Sequence, residues 1–258
     1  MGSGEVVHSA ELPRRRWKCV CAYNGAAFSG WQAQKNHRSV QVCIQEVLEG
    51  IVRHPVTLHG SSRTDAGVHA RGYVFHFDTT WKYPGERLLA ALRSRLTPEI
   101  EVYQARPVPE TFHARFSAKR KQYIYYLVEG HPDPFERNVM VGVPGGLNTE
   151  AMQEAAGYLV GSHDFRAFSA EPGHVRASTV RHLMRLDILR RGKRVRIIAE
   201  ADGFLYKMVR SLAGGLIKVG RGVISPEQMK EVLEGKRRTA LIPTAQPQGL
   251  FLEKVFYR

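Results

Sequence analysis

Cysteine is scarce in this chain. Cys19, Cys21 and Cys43 are an odd number and too few for a disulfide framework. Cys19 and Cys21 sit at strand spacing, but no second pair follows. The eleven histidines show neither H-x3-H nor H-E-x-x-H spacing, so zinc is not expected. The thiols read as small buried hydrophobes in a reducing compartment. No apolar run approaches the roughly 18 residues of a membrane span. The first sixteen residues end in Arg14-Arg15-Arg16 and lack the apolar stretch of a secretory signal, so they are expected to form a flexible basic leader. Negative charge is the other shortage. Only 24 Asp and Glu face 38 Lys and Arg, a net charge of +14. Such an excess favours a polyanion, and without a long one-sided basic helix that means nucleic acid before a membrane surface.

What is present is a regular alternation of strands and helices. Apolar alternation predicts strands over 17–23, 56–59, 72–78, 100–107, 122–129, 180–189, 194–201 and 249–257. Helical spacing predicts helices over 39–52, 84–96, 150–160, 204–219 and 225–234. Ser39 is placed to cap the first helix, and Ser225-Pro226-Glu227-Gln228 carries a capping box with proline at its first position. With 258 residues there is room for two cores. The reading is an α+β protein with a half at 17–110 and a half at 111–258.

The segment Arg63-Thr64-Asp65-Ala66-Gly67-Val68-His69-Ala70 lies between two apolar, strand-like runs. It therefore presents one carboxylate on a loop held by a rigid scaffold, in a basic chain. An Asp in a turn is commonly a backbone cap. Arg63, whose fork suits phosphate or a gap in a base stack, and Gly67, which permits a tight turn, give the second reading of a reactive group working on nucleic acid. A second segment, His113 to Tyr126, interleaves basic residues with aromatics, as a contact to phosphates and bases requires, or as a solvated loop feeding a tyrosine-rich strand. In a third, Arg210 stands between Val209 and Leu212 on a helix that otherwise reads as buried, so its cation needs a partner or must snorkel to the edge. Basic residues between Arg176 and Arg196 and at Lys236-Arg237-Arg238 either grip RNA by its phosphates or serve solubility.

These three segments resemble the motifs of the tRNA pseudouridine synthase A family. Tyr23 to Gln32, Gly161 to Phe168, Lys218 to Gly222 and Gln248 to Leu252 extend the resemblance, in order, over most of the chain. It implies two RRM-like α+β halves around a basic cleft, a homodimer in the cytoplasm, tRNA as partner and no cofactor. By the same resemblance Asp65 is the nucleophile, attacking ribose C1′ or uracil C6 of a flipped uridine at positions 38 to 40 of the anticodon arm. Arg63 helps extrude the base, Tyr123, sharing a strand face with Tyr125, packs on it, and Arg210 pairs with Asp65. Ser62 stands where the family usually has glycine. Two other classes remain open from the residues alone: an N-glycosylase, which needs a second group to position water (Glu200 and Asp202 are the candidates), and a non-catalytic RNA-binding module.

Overall fold

The computed structural model describes residues 13–170 and 178–258. Residues 1–12 of the expected leader, and Arg176, lie outside them. Fifteen regular elements follow one another. They are β1 (Arg15–Tyr23), α1 (Val40–Val52), β2 (His59–Gly60), β3 (His69–Thr79), α2 (Gly85–Arg93), β4 (Ile100–Val108), β5 (Arg120–Glu129) and β6 (Val141–Val143). After them come α3 (Thr149–Gly157), β7 (Gly161–Asp164), β8 (Val180–Arg191), β9 (Arg194–Ala201), α4 (Met208–Gly220), α5 (Pro226–Gly235) and β10 (Leu250–Phe256).

The fold is α+β: one mixed sheet in the order β4-β1-β3-β10-β5-β9-β8-β7, flanked by five helices. The last strand lies in the middle of the sheet, between β3 and β5. β10 runs parallel to β3 on one side and antiparallel to β5 on the other. Strand β3 is buried almost throughout and packs Tyr73 and Phe75 against Trp31, whose indole stacks on Tyr73 at 3.9 Å, while Phe77 packs on Phe75. Each such side chain contributes about 1.5–3 kcal/mol by leaving water. Among the described residues no helix is long and apolar enough to cross a membrane.

Local chemistry sets most boundaries where the pattern puts them. Ser39 accepts the Val42 N–H and starts α1, and the Ser225–Gln228 capping box starts α5. Three differences have physical causes. β1 begins at Arg15, inside the expected leader, because Arg16 forks onto the Asp78 carboxylate at 2.8 Å and orders that end. β2 is two residues long instead of 56–59, since β3's second edge is divided: β10 pairs with His69 and Ala70, β2 with Phe75 and His76. The helix expected from Phe204 starts only at Met208. Lys207 adopts φ 55°, and Phe204 is drawn sideways onto the Tyr123 ring at 5.1 Å.

Candidate active site

A cleft of about 1190 Å³ opens where β2 and β10 part along β3. Asp65 lies in its wall, on the loop between β2 and β3. The loop is short of secondary structure and is held by the segment after β1. Trp31 N–H donates to Thr64 O, Gly67 N–H donates to Phe28 O, and the Tyr23 hydroxyl shares a 2.8 Å hydrogen bond with Thr64 Oγ1. Gly30 has φ +94°, and a Cβ there would lie 2.5 Å from Thr64 O. Only glycine lets this backbone approach so closely. Gly67, at φ +78°, turns the chain after Asp65, and Val68 N–H closes the turn on Asp65 O.

Arg210 Nη1 donates to Asp65 Oδ2 at 2.7 Å, and its Nε donates to Ala245 O at 2.7 Å. The two side chains are 12% and 22% exposed. Because α4 starts late, Arg210 sits in its first turn, not mid-helix. A cation there opposes the helix dipole, and the Asp65 carboxylate offsets both charges. Ala245 N–H donates back to Arg210 O, so the guanidinium is fixed from two sides.

Tyr123 and Tyr125 separate clearly. Tyr123 lines the cleft, and its hydroxyl lies 3.1 Å from Ser62 Oγ. Burial is the main cause that pushes its phenol up to about 12, so it keeps its proton at neutral pH. Tyr125 is wholly buried and donates to Gln246 O. Ser62 thus hydrogen-bonds Tyr123 through a side chain that glycine lacks, while its carbonyl accepts from Tyr73. Arg63 is exposed on the cleft wall. The structure therefore brings Asp65, Arg63, Tyr123 and Arg210 to one cleft. Among its described lining residues Asp65 is the sole carboxylate. Glu200 instead accepts from Gln122 and pairs with Arg120, and Asp202 Oδ1 accepts the His182 N–H.

Several basic residues have structural work. Arg190 pairs with Glu129, Arg194 with Glu136, and Arg185 with Asp187. Arg238 donates to Ser169 O, Ser211 Oγ and Thr244 Oγ1.

The fold also gathers histidines that sequence spacing left apart. His59, His76 and His113 each bring a ring nitrogen within 4.8 Å of the others. The hydrogen bonds do not suit a metal. His76 Nδ1 accepts the Ala114 N–H, and His113 Nδ1 accepts from Arg115 and Phe116. Each of these rings must then carry its proton on Nε2, which leaves no lone pair for an ion. Metal-ligating rings do the opposite and donate from the second nitrogen. The trio instead anchors the 113–117 loop. Burial, then nearby His59 and Arg16, pushes His76 down from 6.5 to about 4. The folded state therefore favours the neutral ring. Its stabilisation is complete above pH 6.5 and is lost as pH falls toward 4, by at most about 1.4 kcal/mol per pH unit. Urea midpoints between pH 7 and 4.5 should fall more for the wild type than for His76→Gln. Parallel curves would remove His76 from this role.

A family model described as tRNA pseudouridine synthase matches residues 20–117 and 155–258. The chain belongs to the tRNA pseudouridine synthase family. Proteins named tRNA pseudouridine synthase A are similar to it nearly end to end. One from Exiguobacterium is 42% identical, covering 94% of this chain and 98% of its own. One from Clostridium perfringens, there "A 2", is 41% identical over 94% and 100%. The Bacillus subtilis protein is 40% identical over 94% and 99%. In this synthase family chain the Asp65 loop and the Arg210 segment fall within the matched regions, whereas the segment from His113 to Tyr126 passes out of them after residue 117, so Tyr123 lies in the unmatched 118–154 stretch.

Proposed function

We propose that this protein isomerises uridine to pseudouridine in the anticodon stem-loop of tRNA, at positions 38 to 40, with Asp65 as the nucleophile. The observation that carries the reading is a single carboxylate, paired to a fixed arginine, in a basic cleft beside a protonated tyrosine. The glycosidic bond of a stacked uridine is out of reach, so the base must be turned out of the helix. Arg63, exposed on the cleft wall, fills the gap it leaves. The uracil lies against Tyr123. The Asp65 carboxylate forms the covalent bond that lets the C1′–N1 bond break. The uracil rotates, C5 bonds to C1′, the C5 proton is lost while N1 takes one up, and Asp65 is released unchanged. The product is an isomer of the substrate, and no cofactor enters.

The lone carboxylate favours this over base excision, which needs a second group to aim a water. Two α+β halves, 17–110 and 111–258, form the cleft in this reading, and the enzyme acts in the cytoplasm as a homodimer on tRNA. The test is pseudouridine mapping on unmodified tRNA, with free uracil assayed in parallel. Pseudouridine confined to positions 38–40 without free uracil is the expected result. Modification elsewhere overturns the positional part, free uracil points to excision, and tight binding without either product leaves an RNA-binding module.

A further inference from the structure

Lys121 lines the same cleft, two residues before Tyr123 on β5, and has no part in the chemistry above. Alternation along the strand puts the two side chains on one face, roughly 6.6 Å apart. The neighbouring residues Arg120 and Gln122 face the other way and hold Glu200. Lys121 Nζ donates one of its three N–H groups to Ser61 O at 2.7 Å. That carbonyl belongs to the loop carrying Asp65. Among the described residues Lys121 has no carboxylate partner. The charged groups facing it are Arg115, from the loop anchored by the histidines, and Arg181, from β8, whose guanidinium donates to Ser178 O and Val180 O. Arg63, Asp65, His59 and His113 line the same cleft.

A mostly buried ammonium beside the Arg115 guanidinium is a pair of like charge, and it gains free energy when an anion enters. We propose that Lys121, with Arg115, binds a phosphodiester of the RNA backbone next to the flipped uridine, and so sets how far the nucleotide advances toward Asp65. The proposal rests on the synthase reading, which puts RNA in this cleft. A base on the Tyr123 ring leaves the ammonium one strand step away, beside the sugar-phosphate chain. Burial, reinforced by Arg115 and Arg181, brings the free lysine down to about 8. A bound phosphate requires the charged form, so RNA binding takes up a proton in alkaline solution.

The experiment uses full-length protein and an anticodon-arm RNA. Wild-type affinity should weaken about tenfold from pH 7 to pH 9, as the charged fraction of a group near 8 falls. Lys121→Arg, always charged, should bind as tightly at pH 7 and lose that pH dependence. Lys121→Met should bind about five- to tenfold more weakly at pH 7, with a salt slope reduced by about 1. Methylphosphonates are then placed one at a time on the phosphates flanking the target uridine. One of them should cost the wild type as much as Lys121→Met and cost that variant nothing more. A pH dependence retained in Lys121→Arg, or no phosphate that couples to Lys121, overturns the site. Pseudouridine formation by the wild type is measured on the same RNA. If it is present without coupling, the phosphate site alone fails. If coupling is present without pseudouridine, the synthase reading fails and the site stands.

Discussion

A protein carrying Asp65→Asn is expected to bind tRNA within about threefold of the wild type while its single-turnover rate of pseudouridine formation falls by at least about 10⁴-fold. The separation of binding from chemistry follows from the geometry. Asn is isosteric and still offers an oxygen to Arg210 Nη1, so the 2.7 Å contact survives as a neutral hydrogen bond. The loop is held by Tyr23, Gly30 and Trp31 through Thr64, none of which touches the carboxylate group. An amide oxygen is a far weaker nucleophile than a carboxylate, so the covalent step is the one removed. Asp65→Ala should be equally inactive. A residual rate above about one hundredth of wild type in either variant would sink the nucleophile assignment.

Arg210→Met should cost about 2 kcal/mol of unfolding free energy and about 10²-fold or more in rate, without a comparable loss of tRNA affinity. The stability figure is below that of a fully buried pair because both side chains keep some solvent contact. Arg210→Lys is the sharper test. Arg210 reaches Asp65 Oδ2 with one nitrogen and Ala245 O with another, in opposite duties of one rigid fork. A lysine ammonium is a single point on a flexible stem and cannot hold both. Less than about a tenth of the wild-type rate should return. Denaturant melts and single-turnover assays measure the two effects, and a fully active lysine variant would show that charge alone suffices.

The elements with strong local signals were legible from the chain alone. Ser39 and the Ser225–Gln228 box named their helix starts because a cap is satisfied within three or four residues. The start of α4 was not legible. Phe204 to Lys207 continue the helical pattern of the residues after them, and only the attraction of Phe204 to the Tyr123 ring, on a strand distant in sequence, pulls them out. β6 and β7 are three and four residues long, too short for periodicity to register. Asp65 could be singled out because a loop between two strand patterns carries it, whereas strand alternation left Tyr123 and Tyr125 on one face and only the family resemblance chose between them. The clamp on Thr64 could not be singled out, since Gly30 looks like any turn glycine until the carbonyl it admits is seen.

By itself, the sequence determined the excess of positive charge, the α+β alternation, the loop position of Asp65 and the family to which the chain belongs. Those are properties of composition, period and local motif, and each is satisfied by residues near one another. The tertiary structure decided which groups meet. It turned Tyr123 rather than Tyr125 into the cleft, sent Glu200 and Asp202 to other partners, and brought His59, His76 and His113 together, with the Nδ1 lone pairs of His76 and His113 already in use. It also placed Arg210, 145 residues away in the chain, against Asp65. Such contacts depend on how β10 joins β3 to β5 across the sheet. No local pattern encodes that closure, because its free energy comes from burial between segments that are neighbours only once folded.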